Sequence, residues 1–174
     1  MIREIRYLGD PILRRETDTV EAFDEALASF VDDLVETMYA ADGIGLAAPQ
    51  VGDSRRVTVL DVGTRRDGSD VIRLVNPRIV DREGTVPSEE GCLSIPGIVE
   101  TIDRAARVEV EYRDLAGGRH TIVGEELLGR ALQHEIDHLD GVLFIDHLGA
   151  LKRRLVVQEW RKAMSEQGVE VPGA

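Results

Sequence analysis

The chain has 174 residues, which fits one domain and leaves little room for two. Hydrophobic residues make up 43% of it, enough for a sizeable core, while aromatic residues at 4% leave most packing to Val, Leu and Ile. The formal net charge of -12 would repel a polyanion, which argues against a broadly basic nucleic-acid-binding face but leaves room for one local basic patch. No apolar run approaches the ~20 residues of a membrane-spanning helix, and the charged N-terminus lacks a signal-peptide core. We therefore expect a cytoplasmic protein that binds neither DNA nor a membrane.

The first 76 residues predict one helix, one loop and two strands. Apolar residues recur at spacings of three and four from Leu27 to Met38, which is typical of a helix with one buried face. Gly43 would end this helix, because glycine readily adopts the left-handed conformation of a C-terminal cap. The other predicted elements are an irregular start at 1–20, a loop at 43–50 and strands at 56–62 and 71–76.

The rest of the chain predicts a hairpin followed by two helices. Apolar and polar residues alternate from 108 to 112, and Gly117 and Gly118 supply a turn before a return strand at 120–123. Because helix, strands and helices follow one another in blocks, the pattern indicates an α+β fold in a single domain spanning 1–174. The remaining expectations are a mostly extended segment at 82–97, helices at about 125–139 and 148–167, and a frayed tail after about 168.

The stretch QHEIDHLDG at 133–141 lies in the first of these two helices and predicts a metal site. His134 and His138 are four residues apart, so on a helix they stand one turn apart on the same face. Glu135 lies about 100° round the helix from His134, near enough to reach the same point in space. Two imidazoles with a carboxylate beside them are typical of metal-dependent hydrolases.

A catalytic metal site needs a third protein ligand and one open position. The candidates are His120, His147 and Cys92, which is the one cysteine of the chain. His120 follows a turn and fits an exposed strand, whereas His147 fits a structural role near a helix start. We expect an α+β fold in which mostly antiparallel strands pack around a central metal-binding helix, with further helices near the N-terminus and the C-terminus.

Three stretches in this chain resemble the signature motifs of the peptide deformylase family and occur in that family's order. They are GIGLAAPQ at 43–50, EGCLS at 90–94 and QHEIDHLDG at 133–141. The opening LGDP at 8–11 is also similar, so the resemblance runs from residue 1 to about 165. It implies a metal-dependent hydrolase that removes the formyl group from the N-terminal formylmethionine of newly made polypeptides.

The resemblance also implies the ligands and the catalytic groups of the site. Cys92, His134 and His138 would hold one divalent metal ion, with Fe(II) as the usual native metal and Zn, Ni or Co as possible occupants. Glu135 would act as general base and then as general acid. The side-chain amide of Gln50 and the backbone N–H of Leu93 would stabilise the developing oxyanion.

The substrate would be a formylated nascent peptide, held by residues from the first and third motifs. The small residue Gly45 leaves open backbone, along which a peptide could pair as an added strand. Ile44, Leu127 and Ala131 are the predicted wall of an apolar pocket for the methionine side chain. No basic residue stands between the second motif and Arg104, which we expect to pair with a carboxylate such as Glu90 or Asp137.

The C-terminal helix is locally basic in an acidic chain. A solvated helix face is one explanation, and docking to ribosomal RNA near the exit of new chains is the other. Its basic residues are Lys152, Arg153, Arg154, Arg161 and Lys162, opposed by Glu159 and Glu166.

Two other functions remain open from the residues alone. A zincin-like metallopeptidase shares the His-Glu-x-x-His pattern, but it would take a downstream His or Glu as its third ligand. A non-catalytic metal-binding module would keep the ligands while losing Glu135 or Gln50, and both are present.

Overall fold

The computed structural model of the chain describes residues 1–173, which form three α-helices and seven strands. The helices are α1 (Glu25–Ala40), α2 (Glu126–Leu139) and α3 (Ala150–Glu166). Short 3-10 helices occupy Pro11–Arg14, Ala48–Val51 and Phe144–His147. The strands are β1 (Gly45–Ala47), β2 (Val57–Leu60), β3 (Ile72–Glu83), β4 (Val86–Cys92), β5 (Ile95–Arg104), β6 (Arg107–Arg113) and β7 (Arg119–Glu125).

The strands form two antiparallel sheets. Five strands pair in the order β1-β2-β3-β6-β7, and β4 and β5 form a separate hairpin. Helix α2 contacts every strand of the five-stranded sheet. The prediction of an α+β fold with mostly antiparallel strands is therefore confirmed.

Helix α1 begins where the sequence offers a cap and ends at Ala40. The left-handed residue that follows it is Asp42, with a φ of 56°, and not the predicted Gly43. The Asp24 carboxylate accepts a hydrogen bond of 2.9 Å from the Leu27 N–H, which satisfies an otherwise free donor of the first turn. At the other end, the Gly43 N–H donates to the Met38 carbonyl. The buried face of α1 packs with β1 and β2 in a first apolar cluster, which includes Phe30, Val31, Leu34, Val57 and Val59.

Helix α2 lies close against the sheet because two glycines let the backbones approach. A Cβ atom at Gly129 would lie 2.7 Å from the Gly124 carbonyl oxygen, so the contact between α2 and β7 requires glycine there. Apolar residues of α2 complete a second cluster on the sheet, formed by Leu60, Leu74, Val108, Val110, Ala131, Leu132 and Ile136. The helix ends at Gly141, whose φ of 73° is left-handed.

Helix α3 closes a third apolar cluster with the β4–β5 hairpin. Trp160 and Phe144 are fully buried in it, together with Leu13, Ile95 and Leu143. The tail expected to fray after residue 168 contacts this cluster through Val169 and Val171. No helix within residues 1–173 is long and apolar enough to cross a membrane.

The prediction of a loop at 43–50 was wrong for the central residues of that segment. Two strands are also longer than expected. Gly45–Ala47 pairs with β2, and Ala48–Val51 is a 3-10 helix. Gly45, Leu46 and Ala47 include no β-branched or aromatic residue and carry no local strand signal, so the partner strand decides their conformation. The segment expected to be mostly extended forms the hairpin of β4 and β5, and β3 runs on to Glu83.

Candidate metal centre

Cys92, His134 and His138 converge on one point in the structure. One donor atom from each side chain lies within 4.8 Å of the other two. The Cys92 Sγ is 3.4 Å from the His138 Nε2, which is 3.3 Å from the His134 Nε2. One sulfur and two imidazole nitrogens are a donor set that suits a divalent transition metal, so these residues fit such an ion.

Two different elements bring these donors together. The two histidines follow from the helical repeat of α2, as the sequence predicts. Cys92 ends β4, where the hairpin turns at residues 92–95. Of the candidates for a third ligand, His120 is exposed and contacts Asp114 at 2.6 Å, and His147 contacts Asp137 at 2.8 Å. Cys92 alone among them stands beside the histidine pair.

A buried ion pair orients the first histidine. The Nδ1 of His134 lies 2.8 Å from Glu90 Oε1, and Arg104 donates two hydrogen bonds of 2.8 Å to the same carboxylate. Arg104 also donates to Asp137 at 2.6 Å, so the expected pairing is confirmed with both carboxylates. Burial by itself would raise the pKa of Glu90, but Arg104 and His134 outweigh it and hold that pKa at about 2.

Glu135 lies next to the candidate ligands and is almost completely buried. Its side chain is only 4% exposed, and the hydroxyl of Thr58 donates to it at 3.4 Å. Burial raises the pKa of Glu135 to about 7, against the opposing effects of His134 and Thr58. A Cβ atom at Gly45 would overlap this carboxylate, which explains why that position must be glycine. A carboxyl group near neutral pKa suits proton transfer in both directions.

Gln50 is buried and held by bonds at both ends of its amide. Its Oε1 accepts from the Ala47 N–H at 3.0 Å, and its Nε2 donates to Ser94 Oγ at 3.1 Å. The same Nε2 points at Cys92 Sγ from 3.6 Å, so the amide N–H groups face the candidate metal centre. Leu93 lies at the hairpin turn, next to the cysteine, and packs against the first cluster.

A cavity of about 440 Å³ opens onto these side chains. Every residue predicted for the methionine pocket lines it, and Ile44 and Leu127 are 39% and 44% exposed at its walls. Its lining also includes residues that the sequence analysis left without a role, chiefly Ser88 and Arg130. The predicted site residues in the lining are Ile44, Gly45, Gln50, Cys92, Leu93, Leu127, Ala131, His134 and Glu135.

Comparison with known proteins identifies the family. Residues 2–154 match the family model described as polypeptide deformylase. The chain belongs to this family. It is 51% identical to the peptide deformylase of Acidobacterium capsulatum, over 93% of this chain and 95% of the relative. It is 52% identical to that of Acetivibrio thermocellus, over 83% of this chain and 82% of the relative.

Solved structures of deformylases share the fold across nearly the whole chain. A crystal structure of a peptide deformylase from Legionella pneumophila has a TM-score of 0.91 and 45% identity, covering 98% of this chain and 99% of that one. A Synechococcus elongatus peptide deformylase in complex with actinonin has a TM-score of 0.85 and 39% identity, covering 97% and 89%. Membership of the deformylase family makes this chain an enzyme and confirms the resemblance seen in its motifs.

Proposed function

We propose that this chain removes the formyl group from the N-terminal formylmethionine of newly made polypeptides. The observation that carries the proposal is the convergence of Cys92, His134 and His138 beside the buried Glu135, at the floor of an apolar cavity. Membership of the polypeptide deformylase family supports it. A metallopeptidase would take a His or Glu as third ligand, and a binding module would not keep Glu135 and Gln50.

Cys92, His134 and His138 would hold one divalent metal ion, with Fe(II) as the native metal and Zn, Ni or Co as substitutes. When bound, the metal supplies Lewis-acid activation of water and of the formyl oxygen. Glu90 accepts a hydrogen bond from the Nδ1 of His134, which keeps the Nε2 of that ring free to bind the ion.

Glu135 would carry the proton through the reaction. It takes a proton from the attacking water, whose oxygen adds to the formyl carbon. As the bond between the formyl carbon and the amide nitrogen breaks, Glu135 returns that proton to the leaving amine. The oxygen of the water and its second proton leave with the formyl group as formic acid, which ionises to formate, and the peptide leaves with a free N-terminus.

The amide of Gln50 and the N–H of Leu93 would stabilise the negative charge on the formyl oxygen. Donors that are already in place act strongly because they need not reorganise as the charge develops. The bonds from Gln50 to Ala47 and Ser94 hold the amide in one orientation, which supports this role.

The peptide would bind along β1, with its methionine side chain in the cavity. Strand β1 is an edge of the five-stranded sheet, so its outer side has room for an added strand. Ile44, Leu127 and Ala131 would surround the methionine side chain. Gly45 lets the substrate backbone come close to Glu135.

Release of formate from a formyl-Met-Ala peptide tests the proposal, with metal analysis of the same sample. Formate should appear in proportion to the loaded metal. A protein that holds one metal ion per chain and releases no formate would refute the assigned function.

We also propose that the enzyme acts in the cytoplasm, where chains are made, and docks to the ribosome through α3. Ion pairs within the protein already neutralise two of the basic residues of α3, since Lys152 contacts Glu100 at 2.6 Å and Arg153 contacts Asp146 at 3.9 Å. Arg154 and Arg161 have no ion pair within residues 1–173, and Arg154 is the more exposed of the two, so it is the leading candidate contact. An Arg154→Glu variant should co-sediment less with ribosomes at low salt, and unchanged co-sedimentation would contradict docking through this helix.

A further inference from the structure

Two hydrogen-bond donors that line the substrate cavity have no acceptor among residues 1–173. Ser88 is 1% exposed, and its Oγ has no hydrogen-bond partner within residues 1–173. Arg130 is half-buried, and no carboxylate of the described residues lies within 4.0 Å of its guanidinium. Both residues line the same cavity as Leu127 and Ala131. A cavity meant only for a thioether would not need either donor, because a thioether sulfur is a weak acceptor.

The two donors lie on facing walls of the cavity, one on β4 and one on α2. Along β4, Ser88 and Glu90 are buried while Glu89 is exposed, so the first two share one face of the strand. Glu90 on that face reaches His134, and Arg130 stands one helical turn before His134. The face that bears Ser88 is therefore directed towards α2.

A second cleft next to the substrate cavity, lined by Val86, Arg107 and Arg130, shows in which direction β4 runs relative to α2. Val86 lies at the level of Arg130, because both line this cleft. Glu90 lies at the level of His134, because the two side chains are in contact. The strand from 86 to 90 thus runs alongside the helix from 130 to 134. Ser88 lies midway between these two levels, beside the part of the cavity lined by Ala131.

We propose that the cavity also accepts an oxidised methionine side chain, so that the enzyme deformylates peptides that begin with formylmethionine sulfoxide. The sulfoxide oxygen would accept hydrogen bonds from the Ser88 hydroxyl and the Arg130 guanidinium. This inference rests on the proposed function, because it concerns the same cavity and the same reaction. The sulfoxide enters already oxidised, so the enzyme performs no redox step.

The chemistry of the donors favours a sulfoxide over other polar side chains. Formylated chains begin with methionine, and oxidation of its sulfur adds one strong acceptor oxygen without lengthening the side chain. An apolar pocket rejects such a group, since its hydrogen bonds to water are lost on entry. Donors without protein partners replace those bonds, and a charged guanidinium makes the stronger of the two.

The test compares kcat/KM for four peptides of the form formyl-X-Ala-Ser with the metal-loaded enzyme. Position X is methionine, norleucine or either of the two separated epimers of methionine sulfoxide. We expect the better sulfoxide epimer to fall within about tenfold of norleucine, which has the same length and no polar atom. In Arg130→Leu and in Ser88→Ala, the ratio of sulfoxide to norleucine should fall by about tenfold or more.

Arg107→Leu is the matched control, because Arg107 lines the neighbouring cleft and not the substrate cavity. That variant should keep the wild-type ratio. The inference is wrong if the wild-type enzyme hydrolyses the methionine peptide but has a kcat/KM for both sulfoxide epimers more than a hundredfold below that for the norleucine peptide. The proposed function would still stand in that case. An unchanged ratio of sulfoxide to norleucine in Arg130→Leu would also overturn the inference. Because Arg130 is half-buried, this variant tests the inference even if Ser88→Ala fails to fold. Failure to hydrolyse the methionine peptide would instead contradict the proposed function.

Discussion

Arg104 and Glu90 form a buried two-point ion pair directly behind the candidate metal ligand His134. Both hydrogen bonds to the carboxylate measure 2.8 Å, and both side chains are almost completely buried. The same carboxylate lies 2.8 Å from the ring of His134. The Glu90 carboxylate on the β4–β5 hairpin therefore sets the orientation of the His134 imidazole on α2. This contact connects the hairpin, which carries Cys92, to the helix, which carries the two histidines.

Removing this arginine should weaken metal binding. In Arg104→Met, Glu90 loses its buried counter-charge, so the carboxylate no longer holds the ring of His134 in place. We expect metal affinity to fall by about 10- to 100-fold, measured by competition with a coloured chelator. Arg78→Met is the control, because Arg78 pairs with Glu111 on the surface. Equal affinity in the Arg104 and Arg78 variants would contradict the positioning role.

Replacing Glu135 by glutamine should abolish most turnover while the metal stays bound. The amide keeps the shape of the side chain but cannot take up a proton from water. We expect kcat to fall by about 10²- to 10⁴-fold and the metal content to equal that of the wild type. Turnover within a factor of two of the wild type would rule out the assigned proton transfer.

Replacing Gln50 by leucine should act on the transition state more than on substrate binding. The substitution removes the N–H groups that face Cys92, while the volume of the side chain is nearly kept. A loss of about 10²- to 10³-fold in kcat with little change in KM is the expected outcome. Steady-state kinetics on formyl-Met-Ala-Ser measure it, and a change confined to KM would assign Gln50 to binding instead.

The iron-loaded enzyme should lose activity in air, and the nickel-loaded enzyme should keep it. Both Fe(II) and the thiolate of Cys92 are open to oxidation, whereas Ni(II) is not oxidised under these conditions. Activity is followed over time in aerobic and anaerobic samples of each metal form. Iron samples that are equally active with and without oxygen would contradict the proposed ligand set.

Local patterns in the sequence predicted the elements whose signals are local. The spacing of His134 and His138 places both rings on one face, since 3.6 residues per turn leave no other arrangement in a helix. Helix α1 likewise follows from apolar residues at spacings of three and four. Strand β1 has no such signal, because its conformation depends on pairing with β2.

The sequence by itself determined the family, through three motifs, and the helix that carries two of the ligand candidates. The family resemblance implied Cys92 as the third ligand, but only the tertiary structure placed its sulfur beside His138, 46 positions away, with Arg104 behind the site. It also decided that Ser88 and Arg130 line the same cavity as the predicted pocket residues. The reason is physical: a helix fixes the geometry of residues one turn apart, whereas contacts between distant residues depend on how sheets and helices pack.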